Sequence, residues 1–267
     1  MHNPAKTLKG ILLAGGTGSR LAPMTNVVSK QLLPVYDKPM IYYPLVTLMQ
    51  ADVRNILLIS TQIHLSNYQR LLGTGKQWGI QIDYAEQQSP NGLPHAFTIG
   101  ADFIKNESII LLLGDNIFFG DNFAHHLAQA AASSSGATIF VTHHNQPSEY
   151  GVVELGPGKD ILSLEEKPAC PKSNNVITGA YVFDSQVTEY AKTLQSSERG
   201  ETEMVDLLRC YHKQKELFVK FLDKGTTWYD TGTPQMLLEA SLAIAEVQSA
   251  RGRIGCPEYT AKSKGWI

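Results

Sequence analysis

Residues 10–21 read Gly-Ile-Leu-Leu-Ala-Gly-Gly-Thr-Gly-Ser-Arg-Leu, an apolar run that breaks into glycines and closes on an arginine. Gly15, Gly16 and Gly18 let the backbone turn tightly and approach a ligand with no side chain between, so that its N–H groups can cradle phosphate oxygens. Arg20 adds a forked, permanent charge, and Lys30 a second cation. Such a set suits a triphosphate and stabilises a departing pyrophosphate. Alone, the same residues make a glycine turn with two solvated cations. Leu21 follows Arg20 where a dinucleotide fingerprint needs small residues, and the Lys-Ser/Thr ending of a P-loop is missing, so neither of those motifs fits.

Carboxylates come next. Asp115, in Gly114-Asp115-Asn116, directly follows the apolar run Ile109–Leu113, and the carboxyl end of a buried parallel strand is where α/β proteins put catalytic groups. It could hold Mg²⁺, which prefers one or two carboxylates plus phosphate oxygens, or it could be a turn aspartate bonded to its own backbone. In Trp228-Tyr229-Asp230-Thr231-Gly232-Thr233, strand alternation puts Trp228 and Asp230 on one face. Asp230 is thus either a second metal carboxylate or a turn residue. Glu166 and Lys167 end another strand-like run; they suit sugar hydroxyls and a phosphate, or merely a solvated strand end. Strict alternation puts the two on opposite faces, so one pocket can use both only if Pro168 or a bulge breaks the pleat. The pairs His125-His126 and His143-His144 are adjacent and cannot face one metal together. His95, in Leu-Pro-His-Ala, reads as a helix-start or packing residue.

The elements that must carry these groups alternate. Gly10–Ala14, Ile56–Ser60, Ile80–Ala85, Ile109–Leu113 and Ala137–Thr142 read as strands, with helices over Met40–Gln50, Leu65–Leu72, Pro94–Ile104 and Asn122–Ala132 between them. That order predicts an α/β fold with a largely parallel sheet, helices on both faces and ligands beyond the strands' carboxyl ends. Further on, Gly151–Glu154, Ile161–Glu165, Ile177–Phe183 and Leu217–Leu222 read as strands and Glu201–His212 as a helix. Thr233-Pro234 is a hydroxyl cap followed by proline, and starts a helix running to Val247.

A chain of 267 residues can bury a large core, and a net charge of −2 gives no general field for nucleic acid or an anionic membrane. An anionic ligand must therefore meet a few placed cations. Cys170, Cys210 and Cys256 have no metal-ligand spacing, and their odd number does not suit a disulfide framework. No apolar stretch approaches membrane-spanning length, and Met1–Lys9 lacks the apolar core of a signal peptide, which predicts a soluble cytoplasmic chain.

With these pieces in place, the sequence resembles the bacterial nucleoside-diphosphate-sugar pyrophosphorylases, most closely their glucose-1-phosphate thymidylyltransferase branch. The resemblance rests on residues 10–21 and on Ser-Lys-Gln-Leu-Leu-Pro-Val-Tyr-Asp-Lys-Pro-Met-Ile-Tyr-Tyr-Pro-Leu at 29–45. It continues through Ser-Pro-Asn-Gly-Leu at 89–93, Leu-Gly-Asp-Asn at 113–116, Tyr-Gly-Val-Val-Glu at 150–154, Leu-Glu-Glu-Lys-Pro at 164–168, Thr-Gly at 178–179, Arg-Gly-Glu at 199–201 and Asp-Thr-Gly-Thr at 230–233.

The resemblance implies a Rossmann-like three-layer sandwich of the nucleotidyltransferase type, with a mostly parallel mixed sheet and a smaller sugar-facing lobe. It would be one domain over 1–267, with a nucleotide part over about 1–145, a sugar-binding and metal-completing part over about 146–250, and a short helical tail. The implied reaction is attack of glucose 1-phosphate on the α-phosphorus of dTTP, or of UTP, giving the nucleotide sugar and pyrophosphate. Another hexose or amino-sugar 1-phosphate is the alternative acceptor, and an inactive regulatory homologue the remaining reading. By resemblance, Gly15, Gly16, Gly18 and Arg20 hold the nucleotide phosphates, with Arg20 and Lys30 on the pyrophosphate. Gln87 and Gly92 read the base. Asp115 and Asp230 bind Mg²⁺. Tyr150, Gly151, Glu166, Ile177 and Tyr181 border the sugar, and Lys167 meets its phosphate. A homo-oligomer, a tetramer in the family, is implied too.

Three departures from the family pattern stand out. Glu86 and Gln88 flank Gln87 in place of an apolar residue and proline, which predicts an altered base-binding segment. Pro94-His95 replaces a common Ala-Gln. The sequence closes at Lys-Gly-Trp-Ile267, short of a helical tail that in relatives helps build subunit contacts and a regulatory nucleotide site.

Overall fold

The computed structural model describes residues 8–267 except Asp121, Ser134, Glu198 and Arg199. In its first half, strands β1 (Lys9–Ala14), β4 (Asn55–Ser60), β5 (Gln81–Glu86), β6 (Ile109–Leu113) and β8 (Ala137–His143) alternate with helices α1 (Tyr42–Gln50), α2 (Gln62–Leu72), α3 (His95–Ile99), α4 (Ala101–Ile104) and α5 (Phe123–Ala132). Two short ribbon strands, β2 (Pro34–Val35) and β3 (Lys38–Pro39), precede α1, and β7 (Asn116–Phe119) follows β6. The second half supplies β9 (Gly151–Leu155), β10 (Ile161–Glu166), β11 (Asn175–Phe183), α6 (Val187–Thr193), α7 (Met204–Lys213), β12 (Leu217–Phe221), β13 (Thr227–Asp230), α8 (Pro234–Arg251) and α9 (Pro257–Ser263).

Nine strands form one mixed sheet. β5, β4, β1 and β6 lie side by side in parallel, and β12 runs parallel to β8. Only β10 and β11 of the nine run against the rest. Both faces are covered, and β1 shows why its run is apolar throughout. Leu12 and Ala14 enter a core shared with α1, α2 and α5, whereas Ile11 and Leu13 enter a second core shared with α3, α6 and α7. The three-layer α/β architecture expected from the sequence is the one observed.

Outside the sheet, β7 pairs antiparallel with β13, setting Asn116 opposite Asp230. A small third core of Val35, Met40, Tyr43, Ile117, Ala240 and Ile244 seats α8 against this ribbon. Thr233 caps α8 by accepting the Met236 N–H at 3.3 Å, with Pro234 at the first turn, as the sequence predicts; the helix runs on past Val247 to Arg251.

Several expectations need correction. Pro94–Ile104 is not one helix but two short ones parted at Gly100. A Cβ there would come within 3.1–3.3 Å of the Ala96 carbonyl, Leu57 and Ile11, so the glycine lets the segment press onto β1 and β4. The helix expected over Glu201–His212 starts only at Met204, with Glu203 as its cap residue. Strand β7 and helices α6 and α9 were not visible in the sequence pattern. Among the described residues no helix is long and apolar enough to cross a membrane.

Candidate functional site

The carboxyl ends of β1, β5 and β6 converge on a cleft of about 240 Å³ lined by Gly15, Gly16, Gln87, Gly92 and Asp115, with Leu13, Gln31, Leu93, Leu113 and Glu201. A Cβ on Gly15 would stand 2.7 Å from Gln87 Oε1, so that glycine allows the buried amide to close over the loop. Gly16 takes φ 89°, a left-handed backbone with open space beside it, and leaves the cleft floor bare. Gly18 lies apart from this cleft. It also takes a left-handed φ of 62° and starts the turn Ser19–Leu21, where buried Leu21 anchors the half-exposed Arg20. A Cβ on Gly18 would meet Thr25 and the Lys30 stem, so its part is to seat Lys30.

Gly92 lies where residues 201–203 cross the base of the cleft. A Cβ there would fall 1.9 Å from the Thr202 carbonyl oxygen, and Thr202 donates its N–H to Asn91 O at 2.9 Å. Unlike Gln87, neither Glu86 nor Gln88 is among the residues lining the cleft.

A second cleft, of about 300 Å³, opens beside the first and shares Leu93, Leu113, Asp115 and Glu201 with it. Its walls include Arg20, Tyr150, Gly151, Glu166, Lys167, Ile177, Tyr181 and Asp230. Glu166 and Lys167 thus line the same pocket despite being neighbours. Lys167 takes φ 43°, and this left-handed step just past β10 turns its side chain back to the face Glu166 occupies. Its N–H donates to Tyr150 O at 3.0 Å, tying the step to the start of β9. A non-glycine residue held there costs about 1–2 kcal/mol, a strain that packing around the pocket must offset.

Strand β11 makes the opening. One of its edges pairs β6 through Ala180–Phe183 and β9 through Val176, while its register against β8 shifts between Ile177 and Tyr181. At this irregularity Thr178 Oγ1 donates to Phe140 O at 2.9 Å, and Gly179 faces Asn116. Buried Asn116 accepts from Gly179 N at 3.1 Å and from Trp228 Nε1 at 2.6 Å, and donates to Asp115 Oδ1 at 3.0 Å. One amide therefore joins β6, β11 and β13. Trp228 packs edge-on to Tyr150 with ring centroids 5.4 Å apart, and His144 backs Tyr150 at 4.9 Å.

Charge is concentrated where the clefts meet. Lys30, almost wholly buried, donates to Asp115 Oδ2 at 2.5 Å. Burial alone would raise the Asp115 pKa, but the Lys30 charge and the hydrogen bonds from Lys30 and Asn116 hold it below the usual carboxylate value. Asp230 goes the other way. Burial first, and then the Asp115 charge, push it up to about 6, with Lys30, Arg20 and Lys167 opposing. Two neighbouring half-buried carboxylates with split affinities, ringed by three cations, are an arrangement that favours a hard divalent cation and phosphate oxygens. Arg20 otherwise lies 3.9 Å from Glu149 in an exposed pair.

The residues singled out in the sequence therefore gather around these two clefts, Lys30 through Asp115 and Gly18 through Lys30. Arg199, from the quoted Arg-Gly-Glu run, is outside the described residues. Sequence reasoning missed Asn116, Trp228, Gln31 and Glu201 as site residues. Asn116 and Gln31 each follow a charged residue of the site directly, which was the available signal. Among the described residues, no group of three or more His, Cys, Asp or Glu could hold a metal, and the three cysteines are unpaired.

Comparison with known proteins gives a consistent picture. The family model described as nucleotidyl transferase matches residues 9–247. The chain is 49% identical over 261 residues to a glucose-1-phosphate thymidylyltransferase of Neisseria meningitidis serogroup A, covering 97% of this chain and 91% of the relative. A Mycobacterium tuberculosis protein of the same name is 48% identical, with 97% and 90% covered. Among solved structures, a putative glucose-1-phosphate thymidylyltransferase from Bacillus anthracis, in complex with a sucrose, superposes with a TM-score of 0.82 at 36% identity, covering 88% of this chain and 94% of that one.

Proposed function

Since the chain belongs to the nucleotidyl transferase family, we propose that it is an enzyme joining dTTP to glucose 1-phosphate, forming dTDP-glucose and releasing pyrophosphate. The observation that carries this reading is that two clefts share Asp115, which Lys30 pairs from below and whose charge acts on Asp230 in the second cleft. A transfer between two substrates needs two pockets meeting at one charged point.

The cleft under the glycine loop takes the nucleotide. Gln87 and the Gly92 backbone read the edge of the base, and the bare backbone of Gly15 and Gly16 admits the phosphates. Arg20 and Lys30 neutralise the pyrophosphate as it leaves. In the second cleft Tyr150, Gly151, Glu166, Ile177 and Tyr181 border the sugar, and Lys167 holds its phosphate. The sugar phosphate is already an anion at neutral pH, so no side-chain nucleophile is required. The protein's contribution is to align it in line with the departing oxygen and to gather positive charge. Asp115 and Asp230 fit Mg²⁺, whose charge, when bound, would offset that of the triphosphate.

Two further assignments go with this reading. Leu238 and Leu242, one helical turn apart on α8, are 53% and 63% exposed and suit a contact between copies in a homo-oligomer. Unpaired cysteines suit a reducing, cytoplasmic compartment.

Pyrophosphate release across a panel of nucleoside triphosphates and sugar 1-phosphates is the test. Turnover should be greatest with dTTP and glucose 1-phosphate. Activity confined to CTP or GTP would overturn the base assignment, and a preference for another sugar phosphate would overturn the acceptor.

A further inference from the structure

Beneath the nucleotide cleft lie four polar side chains that are at most 3% exposed: Ser29, Gln31, Ser60 and Tyr68. They come from the turn that carries Lys30, the end of β4 and the inner face of α2. Polar groups buried this deeply are destabilising unless hydrogen-bonded, and here each has a partner.

Ser60 Oγ donates to the Ala14 carbonyl at 2.8 Å, Ser29 Oγ donates to Gln31 Oε1 at 2.8 Å, and Gln31 Nε2 donates to the Gly15 carbonyl at 3.1 Å. Ser29 Oγ and the Tyr68 hydroxyl are 2.7 Å apart. Either hydroxyl can donate in that contact, and the Tyr68 hydroxyl also reaches Gln31 Oε1 directly at 3.2 Å. Burial pushes the Tyr68 phenol well above its ordinary pKa, which keeps it protonated. Tyr68 is therefore joined to Gln31 both directly and by way of Ser29, and Gln31 carries the connection on to the Gly15 carbonyl. The Ser60 backbone carbonyl, next to it, accepts the Gln87 N–H at 2.8 Å.

We infer that Tyr68 is a positioning residue for the nucleotide: through Ser29 and Gln31 it fixes the Gly15 carbonyl, and with it the path of the glycine loop and the turn holding Lys30. Aligned hydrogen bonds in a dry interior strengthen one another, and a cleft held open beforehand binds without first ordering itself. Tyr68 is fully buried and lines neither cleft, so it acts only through other residues. The inference rests on reading the first cleft as the nucleotide site.

Tyr68→Phe keeps the ring and removes the hydroxyl that meets both Ser29 and Gln31. Calorimetric titration with dTTP, without sugar phosphate, should show Kd weakened about tenfold. Ser29→Ala removes one of the two routes from Tyr68 to Gln31 and should weaken Kd in the same direction, by less. Tyr211→Phe is the control: Tyr211 is as deeply buried and donates to Asp184 Oδ1 at 2.8 Å, but in the opposite core. It should lower the melting temperature and leave the dTTP Kd unchanged. If Tyr68→Phe melts lower yet binds dTTP as the wild type does, Tyr68 serves stability alone and the inference is overturned, with the proposed function intact. If Tyr68→Phe does not fold, a wild-type Kd in Ser29→Ala overturns it. If the wild type binds no nucleoside triphosphate, both readings fall together.

Discussion

The two clefts are built by opposite means. The nucleotide cleft sits where parallel strands β1, β4, β5 and β6 end in register, and backbone, glycines and a buried hydroxyl–amide network shape it. The second cleft depends on irregularity: a register shift in β11, a left-handed lysine after β10, and a ribbon, β7–β13, that leaves the sheet. A glycine loop at the end of a regular parallel strand presents backbone N–H groups that suit phosphates whatever their bearer. Selecting among sugar hydroxyls takes side chains arriving from several directions, and interrupted strands supply them.

The severest test strikes the point the clefts share. Asp115→Asn or Asp230→Asn should lower kcat by about a thousandfold or more with the circular-dichroism spectrum preserved, because each removes a charged ligand at the reacting centre. Wild-type turnover in both would separate the clefts from the chemistry.

Two glycines set one half against the other. Gly92→Ala places a Cβ against the Thr202 carbonyl at a left-handed φ of 96°, and Gly179→Ala places one 2.4 Å from Asn116. Each should destabilise by about 1–3 kcal/mol in thermal denaturation. Gly92→Ala should raise KM chiefly for the nucleotide and Gly179→Ala chiefly for the sugar phosphate. A common pattern in both would dissolve the division into halves. Lys167→Gln should raise KM for glucose 1-phosphate by about tenfold or more, with the nucleotide Kd unchanged in calorimetry.

Asp230 sets the pH response. Its folded pKa of about 6 lies above the unfolded value of 3.8, so its charge destabilises the fold at neutral pH. That penalty is fully present above about 6, shrinks as pH falls through it, and is gone below 3.8. In chelator-treated protein, Asp230→Asn should therefore melt higher than the wild type at pH 8 and lose that advantage toward pH 4. A lower melting temperature at pH 8 would contradict the assignment. The smallest effect belongs to Glu149→Gln: an exposed pair 3.9 Å from Arg20 should shift stability by less than about 0.5 kcal/mol in chemical denaturation.

The same division explains what the sequence made legible. Gly15, Gly16 and Asp115 could be placed because each comes at the end of a short apolar run, whereas Gln87 is placed only by the family resemblance. The pairing of Asn116 with Asp230 could not, since nothing local to either half of the β7–β13 ribbon specifies a partner more than a hundred residues away. Alternation left Glu166 and Lys167 in conflict, and one positive φ at Lys167 settles it. The break at Gly100 in the helix expected over Pro94–Ile104 could not be read, because its close approach to Leu57 and Ile11 exists only after folding.

Leu93, Leu113, Asp115 and Glu201 belong to both clefts, so what binds in one lies within a side chain's width of what binds in the other. A molecule reaching across both is therefore a tethered pair, and each end raises the effective concentration of the other at its own pocket. The nucleotide sugar is such a molecule. Its affinity should exceed that of either fragment, which makes its departure a natural bottleneck in the cycle and makes linked two-headed analogues the ligands this surface is shaped to hold longest.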